Sequence, residues 1–207
     1  MKKAVYIGWD IGGAHLKSCV IHNQKTKCSV NLCELWKTQE ARHMIEQIIN
    51  KYSQQGVVNN VITMSGEMCD IFDNRDQGVQ KILNYFKNFV NTYVYTQNRG
   101  IISIKQNKKP QDIASVNWHA IAKFMSKKIT DAIVIDLGST TTDFILIKNS
   151  KVINKRLDDF SGLSSQELLY VGCLRTPPYI FQRSLQINKK NIQIIPENFS
   201  SLADVYR

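Results

Sequence analysis

Asp136-Leu137-Gly138-Ser139-Thr140-Thr141-Thr142-Asp143 lies between two apolar runs, Ala132-Ile133-Val134-Ile135 before it and Phe144-Ile145-Leu146-Ile147 after it. The pattern reads as strand, tight turn, strand. The turn holds a Gly, four consecutive hydroxyl side chains and a carboxylate at each end. Gly lets the backbone approach a ligand closely and adopt φ > 0. Backbone N–H groups and the hydroxyls of Ser139, Thr140 and Thr141 can then converge on phosphate oxygens. A carboxylate ending a buried strand, here Asp136, can hold Mg²⁺ directly or through water. An ordinary hairpin with a polar turn is the plain alternative, but four hydroxyls in a row are more than such a turn needs.

A second copy of the pattern opens the chain. Val5-Tyr6-Ile7-Gly8-Trp9-Asp10-Ile11-Gly12-Gly13-Ala14-His15-Leu16-Lys17 again runs from an apolar strand into Asp, an apolar residue and Gly, and another strand follows. Two such hairpins, one opening each half, imply a duplicated domain with two phosphate loops facing one cleft. Gly12, Gly13 and Gly138 would supply close backbone donors, Lys17 a positive charge, and Asp10 and Asp136 the carboxylates for Mg²⁺.

The bulk composition narrows the function classes. A chain of 207 residues is one large domain or two small ones. Its 43% hydrophobic and 21% charged residues are those of a soluble globular protein. The net charge of +10 comes from Lys and Arg scattered among Asn and Gln, without an arginine cluster, an RNA-binding aromatic motif or a zinc finger. That favours anionic small molecules over nucleic acid. The five Cys show no CxxC pair, so the expectation is reduced thiols and a cytoplasmic setting. Met1-Lys2-Lys3 mimics the start of a signal peptide, but Gly8 and Asp10 break the apolar run behind it. Nothing approaches a membrane-spanning length, so no membrane partner is expected.

Strands are expected over 4–11, 15–22, Lys27–Trp36 and Val58–Met64. A helix is expected from Thr38, carried by Ala41, Ile45, Ile48, Ile49 and Tyr52 and ended at Gly56. Ser65-Gly66-Glu67 lies just beyond the carboxyl end of a strand, where ligands of open α/β sheets bind. Glu67 is therefore a candidate general base or metal partner, or else a carboxylate favoured by a helix N-terminus. Val79, Ile82, Leu83, Phe86 and Val90 form a second helical stripe, and Pro110 suits the first turn of a third helix running through Ile113–Met125. Trp118-His119 in that helix reads as core. Strands are expected over 132–137, 142–148 and Val152–Leu157, then a short helix over Ser164–Tyr170, strands over Tyr179–Leu185 and Asn191–Ile195, and a helix beginning at Ser200-Ser201. Between them lies Gly172-Cys173-Leu174-Arg175-Thr176-Pro177. The Arg175 guanidinium can fork two phosphate oxygens and does not lose its charge.

The Asp10 hairpin, Thr63-Met64-Ser65-Gly66-Glu67, the Asp136 hairpin and Gly172–Pro177, in this order, together resemble one branch of the actin, Hsp70 and sugar-kinase superfamily. That branch is the hydantoinase/oxoprolinase-related proteins linked to tetrahydromethanopterin one-carbon metabolism. The resemblance spans essentially the whole chain. It implies an α/β fold of two ribonuclease H-like lobes, 1–130 and 131–207, with a phosphate-binding cleft between them. It also implies that the second lobe is incomplete, because members of the branch usually run on and Ala203–Arg207 resembles a mid-domain segment. The implied activity is a transferase of methanofuran-type cofactor biosynthesis. There the phenol of a γ-glutamyl-tyramine displaces pyrophosphate from an aminomethylfuran diphosphate, with Asp10, Glu67, Asp136 and Arg175 in catalytic roles. Mg²⁺ would neutralise the leaving group and Glu67 would take the phenolic proton. An ATP-dependent kinase or hydantoinase/oxoprolinase-type hydrolase of the same superfamily is the alternative. It would need an adenosine pocket, which the resemblance puts in a Gly-rich loop late in the second lobe; no Gly-rich segment follows Gly172 here, and the missing part of that lobe could hold it. A truncated, non-catalytic fragment is the third reading.

Overall fold

The computed structural model describes residues 3–35, 40–106 and 109–206. Trp36 and Thr38, expected at the end of the third strand and the start of the first helix, lie outside the described residues. So do Met1, Lys2, Lys108 and Arg207. The chain divides into two compact units, Met1–Ile121 and Ala122–Arg207, and the division falls inside the helix Asn117–Ser126.

The first unit begins with three antiparallel strands, β1 (Ala4–Ile11), β2 (His15–His22) and β3 (Lys25–Leu32). Asn23 and Gln24 turn the β2–β3 hairpin with φ of 49° and 63°, the pair of left-handed residues that a tight hairpin of this hand requires. Helix α1 (Glu40–Ser53) leads to β4 (Val57–Met64), and α2 (Arg75–Asn84) leads to β5 (Thr92–Thr96), which folds back as β6 (Gly100–Ser103). The sheet order is β3-β2-β1-β4-β5-β6, with β1, β4 and β5 parallel. Parallel neighbours need crossovers, and α1 and α2 supply them. This is the ribonuclease H-like arrangement.

Alternation along β1 builds the core. Val5, Ile7, Trp9 and Ile11 are buried, and Ala41, Ile45 and Ile49 of α1 with Val79 and Ile82 of α2 belong to the same cluster. Each such aliphatic side chain contributes roughly 1.5–3 kcal/mol by leaving water. Trp9 packs edge-on against Phe86 at 5.7 Å between ring centroids, and its indole N–H donates to Asn60 Oδ1 at 3.0 Å. That bond removes the cost of burying the indole's polar atom.

Three expectations for this unit change. The stripe over Val79–Val90 is a helix only to Asn84; Phe86 is fully buried in the turn beyond it and Val90 is exposed. Pro110 opens a one-turn 3₁₀ helix, Pro110–Asp112, rather than a continuous helix. Ser115, at φ 48°, breaks the path, and α3 (Asn117–Ser126) starts after it. Finally, Cys19 and Cys28 form a disulfide, which corrects the expectation that all five cysteines are reduced. The two-residue turn at Asn23-Gln24 sets them directly opposite each other on β2 and β3. Cys33, Cys69 and Cys173 remain thiols. No helix among the described residues is long and apolar enough to cross a membrane.

The second unit opens with the antiparallel pair β7 (Ala132–Leu137) and β8 (Thr142–Lys148), followed by the two-residue β9 (Lys151–Val152). β9 is much shorter than the expected third strand: Asn154 bonds the edge of β8 with its side chain instead, donating to Phe144 O and accepting from Leu146 N. Helix α4 (Asp159–Ser164) starts earlier than the expected helix, because Asp158 and Ser161 cap its N-terminus reciprocally. It stops before Gln166, which sits at φ 59°. The apolar pair expected inside that helix forms instead β10 (Leu168–Leu169), paired with β8. A hairpin of β11 (Ser184–Ile187) and β12 (Lys190–Gln193) and a short α5 (Leu202–Val205) complete the unit. The first part of the expected strand over Tyr179–Leu185 is a 3₁₀ turn, Pro178–Ile180, started by its proline.

Candidate functional site: two phosphate-type loops

The first loop is held from both sides. Gly12 N–H donates to His15 O at 3.0 Å and closes the β1–β2 turn. Leu35 N–H donates to Gly13 O and Cys33 N–H to Ala14 O, both at 2.9 Å, so the chain leaving β3 braces the loop. On the other side, Ser65 and Gly66 N–H groups both donate to Ile11 O, at 3.0 and 2.9 Å. A Cβ on Gly66 would stand 2.5 Å from Leu35 Cδ1 and 3.0 Å from the Gly12 carbonyl carbon and oxygen, so a side chain here would push against the loop and its brace.

Asp10 and Lys17 face each other across β1 and β2, and Lys17 Nζ meets Asp10 Oδ2 at 3.0 Å. The other carboxylate oxygen, Oδ1, is buried and has no hydrogen-bond partner. Burying such an acceptor unpaired is costly, so a cation or an ordered water fits there.

Glu67 follows Gly66 and is fully buried. Its Oε1 accepts from Ser115 Oγ at 2.6 Å and from Arg75 Nε at 3.3 Å. The left-handed backbone at Ser115 is what brings that hydroxyl to the carboxylate. The sequence expectation made Glu67 a candidate general base or metal partner, or else a carboxylate at a helix N-terminus. In this arrangement Oε1 ties the segment after β4 to α2 and to the chain before α3, while Oε2 is buried and without a hydrogen-bond partner.

The second loop repeats the design with different braces. Gly138 N–H donates to Thr141 O at 2.8 Å. Cys173 N–H donates to Gly138 O at 2.9 Å, and Leu174 and Arg175 N–H groups donate to Ser139 O at 3.2 and 2.9 Å. Gly172 presses so close to the loop that a Cβ there would fall 2.5 Å from Ser139 C and Thr140 N. Thr176 Oγ1 donates to Gly172 O and accepts from Gly172 N, and Thr142 Oγ1 donates to Val171 O. The Gly172–Pro177 motif is thus the clamp on the second loop. Its backbone makes those contacts, and the Arg175 side chain lines an open hollow of about 460 Å³ with Asp204, Ser201 and Phe199.

Asp136 and Asp143 are directly paired across β7 and β8. Arg156, nearly buried, makes a 2.6 Å ion pair with Asp143 Oδ1. Burial pushes the Asp143 carboxyl above its ordinary range; Arg156 pulls it back, and Asp136 and Asp159 push it up again. Asp143 stood in the sequence as the far carboxylate of the turn, and a four-residue turn implies its pairing with Asp136. Arg156 and Ser115 carried no local signal, because distant contacts bring them in. Among the described residues no group of three or more His, Cys, Asp or Glu could hold a metal ion. A site here would therefore offer one or two carboxylates and leave the other positions to water or phosphate oxygens, as Mg²⁺ prefers.

The hydantoinase/oxoprolinase family profile matches residues 59–201, more than half of the chain. The chain belongs to the hydantoinase/oxoprolinase family. A curated relative of this family member is the (4-{4-(2-(gamma-L-glutamylamino)ethyl)phenoxymethyl}furan-2-yl)methanamine synthase of Methanocaldococcus jannaschii. The two are 30% identical over 207 residues, which cover 98% of this chain and 61% of the relative. A protein of the same name from Methanococcus vannielii is 35% identical over 85 residues, 41% of this chain and 38% of that one. The chain thus spans less than two thirds of the curated relatives it matches. Among solved structures, a Ppx/GppA phosphatase of Aquifex aeolicus aligns with a TM-score of 0.43 and 13% identity over 82% of this chain and 53% of its own. The ethanolamine utilization protein EutJ of Carboxydothermus hydrogenoformans aligns with a TM-score of 0.41 and 13% identity over 72% and 50%.

Proposed function

We propose that this hydantoinase/oxoprolinase family member carries the synthase activity of its methanogen relatives, as an enzyme of methanofuran-type cofactor biosynthesis. The reading rests on the 30% identity to the Methanocaldococcus jannaschii synthase along 98% of the chain, a span that includes both loops. In the proposed reaction the phenol oxygen of a γ-glutamyl-tyramine attacks the furanylmethyl carbon of an aminomethylfuran diphosphate. The C–O bond to the diphosphate breaks and its electron pair leaves with pyrophosphate. The phenol loses its proton as the ether forms, and a pyrophosphate oxygen is a competent acceptor.

The chain's own residues would act chiefly by electrostatics. Donors fixed before the reaction stabilise charge that grows on a leaving group. Gly12, Gly13, Gly138, Ser139, Thr140 and Thr141 offer backbone and hydroxyl donors for phosphate oxygens, and Lys17 and Arg175 offer positive charge. Asp10 and Asp136 are the carboxylates that would hold Mg²⁺, which when bound supplies charge neutralisation to a polyphosphate. Glu67 serves as a positioning residue, since its carboxylate fixes the backbone that pins the first loop. Asp143, opposite Asp136 across the hairpin, is held by Arg156.

The test is direct. The purified chain, Mg²⁺ and the two substrates are incubated, and the ether product and pyrophosphate are followed by mass spectrometry and a phosphate assay. Equal amounts of ether and pyrophosphate are expected, with both lost in Asp136→Asn. No ether, or turnover only when ATP is added and split, would overturn the assignment in favour of an ATP-dependent member of the family.

A further inference from the structure

Strand β3 is weakly anchored. It ends the first sheet on one side, none of its side chains is buried, and it contributes nothing to the hydrophobic core. Its described ties to β2 are the hydrogen-bond ladder, a Ser18 Oγ–Ser29 Oγ hydrogen bond of 2.9 Å and the Cys19–Cys28 disulfide. Segments with few buried contacts and solvent-exposed backbone bonds open locally at little cost. Yet the first loop leans on this strand. The chain leaving β3 at Leu32 sets Cys33 N–H on Ala14 O and Leu35 N–H on Gly13 O, each at 2.9 Å. The disulfide joins residues nine apart, and a bond closing so short a loop restricts the unfolded chain less than one closing a long loop. Its effect falls on the edge ladder, which it keeps from fraying. Cys28 is exposed and Cys19 half-buried, so a thiol reaches the bond from solvent on the Cys28 side. Exposed disulfides are the ones that exchange readily.

We infer that Cys19 and Cys28 are a reversible redox-modification site, reactive toward a dithiol reductant, that sets how firmly β3 braces the first loop. A thiolate of the dithiol attacks Cys28 Sγ. A new S–S bond forms, the Cys19–Cys28 bond breaks, and its electron pair leaves on Cys19 Sγ, which takes a proton. The second thiol attacks the mixed disulfide and releases Cys28, which is protonated in turn. Two electrons and two protons pass to the protein, and the dithiol ends as its own disulfide. Both states fit one fold, because the two residues face each other as a directly opposed antiparallel pair. Cys33 does not compete: it is buried, and burial pushes its thiol up, away from the reactive thiolate. With the bond open, β3 keeps its ladder but opens more often, and Gly13 and Ala14 lose their brace each time it does. That this loop binds phosphate rests on the proposed function; the change in its bracing does not.

The full 207-residue chain is compared after oxidation with glutathione disulfide and after reduction with dithiothreitol. Peptide mapping locates the disulfide, and amide exchange by mass spectrometry follows residues 12–17, 25–35, β4 and β5. The oxidised chain is expected to hold the Cys19–Cys28 bond. Reduction should speed exchange about tenfold over 12–17 and 25–35 while β4 and β5 stay protected, and reoxidation should restore the slow rates. Cys28→Ser should exchange at the reduced rate in both conditions, and Cys173→Ser should behave as the native chain does. Absence of the bond after oxidation, or equal exchange in the two states, would overturn the proposal. So would loss of protection across β4 and β5 on reduction, which would make the bond a support of the whole unit. Where Mg-pyrophosphate binds, its affinity should fall several-fold on reduction, and equal affinity in both states would also overturn the proposal. If pyrophosphate binds neither form, the proposed function fails, and the exchange rates still decide the redox site.

Discussion

Gly172 is the residue on which the second loop depends most tightly. A methyl group there would overlap the Ser139–Thr140 peptide, which is backbone and cannot rotate aside. Gly172→Ala should cost about 1–3 kcal/mol in urea unfolding, in the range of other overpacked sites. It should also weaken any phosphate binding by moving the hydroxyl turn. In the first unit, Glu67→Ala removes the partner of Arg75 and Ser115 in a buried setting. A loss of about 1–3 kcal/mol is expected by the same measurement, with Glu67→Gln milder because it keeps an acceptor for Ser115. Asp10, Asp136 and the loop glycines were legible in the sequence because strand, carboxylate and Gly fall in a fixed local order. The burial of Glu67 was not legible, since it depends on Ser115, which lies 48 residues away.

Elements were legible where the period of the apolar residues and the turn chemistry agreed. The hairpins β1–β2 and β7–β8 have both signals, and their turns fall between the runs of alternating residues. Where a cap competes with the apolar pattern, the cap decides. The Asp158–Ser161 box places α4 before Leu168 and Leu169, which an apolar reading puts inside a helix. Asn74 likewise begins α2 by accepting from Gln77 N–H at 2.9 Å. Asn74→Ala should lower stability by about 1 kcal/mol. The packed side of the first unit also predicts an alkaline weakness. Burial raises the thiol of Cys33 above its usual 9.0 and the phenols of Tyr85 and Tyr95 above their usual 10.0. The unfolded chain therefore loses these protons first, and stability falls as pH rises from about 9 through the raised values. Thermal midpoints recorded between pH 8 and 11 should show this decline, and Tyr85→Phe should flatten it.

At the scale of the molecule, one hairpin design is used twice with different supports. The first copy has its helices and a parallel neighbour within the described residues, and its apolar row is buried. The second copy has its loop clamped by Gly172–Arg175, and among the described residues β7 is the last strand of its sheet, with Ile133, Ile135 and Leu137 exposed. The sequence disclosed the duplication through the repeated Asp-apolar-Gly pattern. It did not disclose the difference in cover, because Ile133 and Ile135 look as apolar as Ile7 and Trp9. Only the positions of distant helices separate them.

The central claim is that these loops serve a diphosphate, and a thermal unfolding scan of the chain with Mg²⁺ tests it most directly, with pyrophosphate in one series and ATP in another. A ligand bound only by the folded state at a hundred times its Kd adds about 2.7 kcal/mol. The account predicts a midpoint raised by several degrees with Mg-pyrophosphate, little change with Mg-ATP at the same concentration, and loss of the shift in Asp136→Asn. A shift with Mg-ATP alone, or no shift with Mg-pyrophosphate, would contradict it.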